Sequence, residues 1–286
     1  MNIFRYKEDI TPTSLIILLF GLDLLVYFSA TSIAALCSWF LISIIFKMYI
    51  GSWNHHHQHV NTFHSTFLNR LLEIVFTFHT GVTTNLWVLH HNLGHHQNYL
   101  DQSKDESGWK RKDGSTMGRL EYTATIALTG YIRGFNVGKE FPKYQTGLVG
   151  MGLVNLLLLS GFFFHSPLNA FFVFVLPMTV SYLATCWTTY HHHSGLDSDD
   201  HHHASYNVMN RWHNLLTGNL GFHTAHHMKQ GLHWSKLPAY HQTIRSKIPD
   251  HLILEHSPGL EGFFQKALDR MERQILGSDP LKNHLK

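Results

Sequence analysis

Histidine dominates the chemistry available to this chain. Its 26 histidines outnumber the 22 lysines and arginines together, and they fall in short clusters along the chain, unlike the single terminal run of a purification tag. The first cluster reads Asn54, His55, His56, His57, Gln58, His59, with His64 five residues on. On a helix His55 and His59 stand one turn apart, so both imidazoles can reach one metal centre. The second is His90, His91, Asn92, Leu93, Gly94, His95, His96, where the same spacing puts His91 and His95 on a shared face. In the third, His223, Thr224, Ala225, His226, His227, the i, i+3 and i+4 positions project the same way. A further run, His191, His192, His193, closes an apolar segment.

Neutral imidazole suits iron, zinc, copper and nickel alike, so spacing does not name the metal. Ligand number says more. About nine histidines exceed what one four-coordinate zinc takes and suit two adjacent ions, each left with an open position. The two cysteines, Cys37 and Cys186, lie in apolar segments; no disulfide framework is readable, and the remaining ligands point away from an iron–sulfur cluster and a thiolate zinc site. A net charge of +3 does not suggest a nucleic-acid binder. His201, His202 and His203 follow Asp197, Asp199 and Asp200, a pattern of a solvated turn to which no site role is assigned.

Something must position these clusters, and long apolar stretches can. Residues 13–30, 32–50, 146–165 and 168–190 are each about long enough to cross a hydrocarbon core as a helix. They predict an all-α integral membrane protein, one domain over 1–286, with four transmembrane helices and a helical cap from 51–145 and 191–286 that carries the histidines. Arg5 and Lys7 precede the first span, Lys47 ends the second, and Lys139 and Lys143 precede the third, while neither intervening turn carries a lysine or arginine. The positive-inside rule then places both termini and the cap in the cytoplasm, with a bacterial inner membrane favoured over the endoplasmic reticulum. The first stretch lacks a cleavage pattern and is expected to stay. Asp23 interrupts it, and a polar bond to a neighbouring span is expected there in preference to a proton relay.

The clusters HHHQH at 55–59, HNLGHH at 91–96 and HTAHH at 223–227, in this order with two spans between the second and third, resemble the three histidine boxes of the membrane fatty-acid desaturase and hydroxylase superfamily. The likeness covers about 45–250. HNLGHH and HHSGL at 192–196 are similar to motifs of alkane hydroxylases, whereas LTGNLGFHTAHH, from Leu216 to His227, is closer to acyl desaturases and to desaturase-like enzymes that form terminal alkenes. The resemblance implies a non-haem di-iron oxidoreductase that uses O2 to desaturate a fatty-acyl chain; hydroxylation and oxidative decarboxylation are the alternatives. It implies as iron ligands His55, His59, His91, His95, His96, His193, His223, His226 and His227, with His56, His57 or His64 as substitutes in the first box. No catalytic residue beyond these is assigned.

An unactivated methylene C–H bond is too strong for acid or base chemistry, so iron with oxygen must supply the oxidant. Acids should hold the imidazoles in one tautomer, and Glu73, Asp101, Asp105 and Glu106 are near in sequence. The substrate, a fatty acid, acyl thioester or lipid, is expected to arrive from the membrane into an apolar tunnel. The group Trp109, Lys110, Arg111, Lys112 is a candidate dock for a head group or the lipid surface. With no nucleotide loop, cluster or cytochrome segment in the chain, electrons are expected from a separate ferredoxin, rubredoxin or cytochrome. A histidine-rich metal transporter is the rival from another class, yet it needs ligands at mid-membrane depth, where Asp23 stands alone. A haem protein needs paired histidines in facing spans.

Overall fold

The computed structural model describes residues 2–276; the remainder of the expected cap, 277–286, lies outside the described residues. Four helices are long and apolar enough to cross a membrane: α1 (Ile10–Ser29), entered through a short 3-10 turn from Lys7, α2 (Ile33–His59), α5 (Pro142–His165) and α6 (Pro167–His193). Between α2 and α5 come α3 (Thr66–Thr80), a π-helical segment (Trp87–His95) and α4 (Arg119–Val137). After α6 follow α7 (Arg211–Thr217), α8 (His223–Met228), α9 (Leu237–Ile244) and α10 (Leu260–Leu276). Two two-residue strands, Asn207–Val208 and Ile253–Leu254, pair in parallel. The protein is all-α, four spans under a helical cap.

The spans wear their apolar residues outward. Within the most apolar window of α5 only 11% of residues are buried, and Leu18, Leu25, Leu41, Leu157 and Phe164 face away from the protein. Water would not tolerate so much exposed hydrocarbon on a folded monomer, whereas lipid tails do. Inside, Tyr27, Leu36, Phe78, Ala170, Val173 and Phe174 form a buried core. Ser32 caps α2 by accepting from the Ala35 amide. At the far end of the bundle Asn169 donates to the carbonyls of Tyr27 and Ala30, fastening the two hairpins together.

Two sequence expectations change here. The second helix does not stop near residue 50 but runs unbroken to His59, so the first cluster sits on the span itself. From Ile33 to His55 is 22 residues, about 33 Å of helix at 1.5 Å each, which places His55 where a hydrocarbon core of about 30 Å gives way to the interface. Lys47, expected as a flanking charge, is fully buried inside the bundle. It donates to Asp23 Oδ1 at 2.7 Å and to the Val173 carbonyl at 3.2 Å. A lysine next to an apolar stretch reads as its end; here a buried carboxylate holds it within.

Candidate metal centre

Each cluster is aimed by its backbone. His55 and His59 share a face of α2, their ring centroids 4.8 Å apart. The second cluster closes the π-helical segment, where the His96 amide bonds the His91 carbonyl at 2.8 Å, an i to i+5 link. The wider turn sets both His95 and His96 beside His91, with ring centroids 5.1 and 4.5 Å away, and the ligand nitrogens of His91 gather with those of His96 and not with those of His95. His193 ends α6. The third cluster rides on the short α8, which is pinned from below. Its Thr224 amide donates to Asn207 Oδ1 at 3.1 Å, and Asn207 Nδ2 donates to Thr224 Oγ1 at 2.8 Å.

The imidazoles converge into two groups. Ring nitrogens of His55, His59, His91, His96 and His226 all lie within 4.8 Å of one another, as do those of His95, His193 and His227. His223 joins the second group, its Nε2 at 3.0 Å from that of His193 and 3.1 Å from that of His227. The groups adjoin, because His96 of one stacks on His227 of the other with centroids 4.1 Å apart. Sequence neighbours are divided between them: His95 from His96, and His226 from His227. The three residues of the last box therefore do not all project to one point, since adjacent positions on a helix diverge by about 100°.

Hydrogen bonding among the rings cannot account for this. In the second group the Nε2 atoms of His193, His223 and His227 form a closed triangle with sides of 3.0, 3.0 and 3.1 Å. A neutral imidazole nitrogen offers one proton or one lone pair, not both. His193 Nδ1 faces the Ala204 carbonyl at 2.7 Å, an acceptor, so Nδ1 carries the proton and Nε2 turns a lone pair inward. His95 Nδ1 donates likewise to Asp105 Oδ1 at 2.7 Å. In the first group His96 Nε2 stands 3.0 Å from both His91 Nε2 and His226 Nε2, and His59 Nε2 is buried without a hydrogen-bond partner. Burial first, and repulsion from neighbouring imidazoles second, holds His91, His96, His223, His226 and His227 well below the ordinary histidine value. Neutral, buried and inward-facing, these lone pairs fit two adjacent cations.

The remaining candidates sort themselves. His56 donates to the Thr217 carbonyl at 3.0 Å, His57 faces Thr62 and Glu73, and His64 is exposed, so none of the three possible substitutes joins either group. Among the acids, Asp105 orients His95. Glu73 instead binds Arg70 and Thr84, Asp101 pairs with Lys104 at the surface, and Glu106 lies by Arg133. Lys110 and Arg111 are tied to Asp197 and Glu121, and Trp109 is buried, which leaves Lys112 alone of the expected basic dock. Sequence reading missed Tyr99, whose ring lies 4.2 Å from that of His227 and whose hydroxyl is 2.5 Å from His201 Nδ1. A single tyrosine after a histidine box gives no signal of its own.

A narrow apolar cleft leads to the groups. Val82, Leu86, Trp87, Ile126 and Tyr182 line it. Its His91, Ser107 and Thr189 also wall a second cavity that touches His95, His193 and His223.

The fatty acid desaturase family model matches residues 30–259; the chain belongs to this family. No curated protein and no solved structure matches it. It is thus a membrane oxidoreductase of the fatty-acyl desaturase and hydroxylase type, acting on lipid or fatty-acyl substrates, with histidine groups compatible with metal.

Proposed function

We propose that this protein is an O2-dependent di-iron desaturase of fatty-acyl chains. The observation that carries the reading is the pair of adjoining all-imidazole groups beside an apolar cleft. His55, His59, His91, His96 and His226 would hold one iron, and His95, His193, His223 and His227 the other. When bound, the iron pair supplies with dioxygen the oxidant that a methylene C–H bond requires. The rest falls to the chain. Asp105 and the Ala204 carbonyl keep His95 and His193 in the tautomer that offers Nε2. Trp87 packs on His55 and His91 with centroids 5.3 Å away and carries apolar surface to the edge of the first group. The cleft strips water from the acyl chain and fixes which carbons pass the histidines.

Hydroxylation and decarboxylation share this site and differ in where the reacting carbon is held. Transport is disfavoured, because Asp23 is already engaged by Lys47 and Trp39 and, with His79 beside it, belongs to no group of three or more ligand atoms among the described residues. Basic residues Arg5, Lys7, Lys139 and Lys143 flank the spans on the histidine side, and the turns at 30–32 and 166 carry none; this supports a cytoplasmic cap. The test is expression in a host of simple lipid composition, with iron analysis and mass spectrometry of fatty acids and volatile hydrocarbons. New double bonds with about two irons per chain, the count expected of two adjacent metal sites, are the expected result. Zinc without any oxygen-dependent product would sink the reading.

A further inference from the structure

One surplus histidine stands in a line of aromatic rings. Trp234, part-exposed on the cap, meets Trp53 edge-on with centroids 5.2 Å apart, and Trp53 lies 6.3 Å from His56. His56 in turn is 5.3 Å from His55 and 6.2 Å from His226, both in the first histidine group. Every ring along the line is fixed. Trp234 Nε1 donates to Asp9 at 2.7 Å, Trp53 Nε1 to the Leu216 carbonyl at 3.0 Å, and His56 Nε2 to the Thr217 carbonyl at 3.0 Å. Gly218, at φ +63°, presses its backbone onto the same rings: a Cβ there would sit 3.0 Å from both His56 and Trp53. Asn219 then donates to the Trp234 carbonyl at 3.3 Å. The segment from Leu216 to Asn219 thus clamps all three rings.

At the outer end the charge is positive and unspent. Lys7, Lys229 and Lys236 are exposed, and among the described residues none of them forms an ion pair. Lys236 Nζ lies 5.1 Å over the ring of Tyr6, which stacks on His233, the neighbour of Trp234. Lys229 lies over Tyr240, which packs in one apolar cluster with Trp234. Elsewhere on the cap Lys110, Arg111, Arg211 and Arg245 are each matched by a carboxylate, while Lys112, Lys139 and Lys143 share the unpaired state but border no such line of rings. The buried Asp9 is held by His233 and Trp234.

We propose that this patch docks a small acidic one-electron protein carrier, and that electrons pass from it along Trp234, Trp53 and His56 to His55. The inference rests on the iron reading above. Each transfer oxidises the carrier's reduced iron by one electron and reduces one ferric ion held by the first group by one; along the path no bond forms and no proton moves. Tunnelling falls exponentially with each gap between donor and acceptor, and rings in contact shorten every gap. Opposite charge steers the carrier to the outer ring.

The test uses the full chain in detergent with reduced rubredoxin as carrier. Lys7→Glu, Lys229→Glu and Lys236→Glu combined are expected to weaken rubredoxin binding about tenfold or more at low salt, an effect erased at high salt; binding is read from titration of metal-free protein as well as loaded. Trp53→Leu and Trp234→Leu are expected to slow rubredoxin oxidation severalfold and leave reduction by dithionite unchanged, with Trp53→Phe close to the parent. Equal rates in Trp53→Leu and parent, equal slowing of dithionite, or binding indifferent to the three reversals overturns the proposal. A preparation that takes up no iron overturns the parent reading and the path together; iron bound with transfer indifferent to Trp53 overturns the path alone.

Discussion

Two polar assemblies are buried in this protein, and they are built on opposite principles. In the middle of the bundle Asp23 accepts from Lys47 at 2.7 Å and from Trp39 at 2.8 Å, with His79 Nδ1 at 3.5 Å from its second oxygen. At Oδ1 donor meets acceptor and positive meets negative, so the ion pair is matched by itself, while Oδ2 and His79 Nδ1 are left without a hydrogen-bond partner. At the membrane border the two histidine groups bring together acceptors, with Asp105 kept outside on the far nitrogen of His95. The first assembly ties α1, α2 and the π-helical turn of α6 at Val173 in register. The second gathers nitrogen atoms in an arrangement compatible with metal. Neither burial nor a single unmatched atom marks a candidate metal site; a gathering of buried imidazoles from several segments does.

Replacing a residue of each assembly separates these principles. The largest effect is expected from His226→Ala, which removes a nitrogen shared by the contacts to His55 and His96: turnover is lost and iron falls toward half, with the fold retained in circular dichroism. Full iron content in that variant would remove His226 from the ligand set. Next comes Lys47→Met, which strands Asp23 in the bundle and is expected to cost about 3–5 kcal/mol in thermal or denaturant unfolding. Adding Asp23→Leu should recover most of that loss without touching iron content, and a double variant no better than the single would show that register, not charge, is what Lys47 secures. Asp105→Asn is milder. It keeps the shape but weakens the hold on the His95 tautomer, and a loss of about 10–100-fold in metal affinity or rate is expected; an unchanged value would make Asp105 a bystander.

The smallest effect is a pH dependence of the cap. Burial pushes His213 and His241 down to about 4, so both are neutral in the folded chain while the unfolded chain takes up protons below about 6.5. Their folded values are depressed, so the stability they contribute is present above about 6.5 and is lost progressively as pH falls toward 4. His213→Gln with His241→Gln should flatten the fall in melting temperature across that window, and identical curves for variant and parent would assign the acid sensitivity to other groups.

Much of this was legible in the residues. Apolar length alone marked four spans, and the histidine types and order marked the family. The finer geometry was not. Nothing in HNLGHH announces a π-helix, because the choice of an i to i+5 bond over i to i+4 depends on packing around the segment and not on local preference. Lys47 looked like the end of a span because a local window cannot see Asp23 on another helix. His56 and His57 were indistinguishable from His55 and His59 by type, and their partners, Thr217 and Glu73, belong to other helices.

What the sequence determined by itself is the inventory: enough continuous hydrocarbon for four membrane-spanning helices, and enough imidazole with so little thiolate that nitrogen is the available donor. What the tertiary structure decided is the division of that inventory into two adjoining groups, one from α2, the π-helical segment and α8, the other adding the end of α6. The reason is physical. Solvent transfer acts on each residue where it stands and is read locally, whereas a metal-sized gathering of lone pairs exists only when distant segments are packed to within a few ångströms of one another.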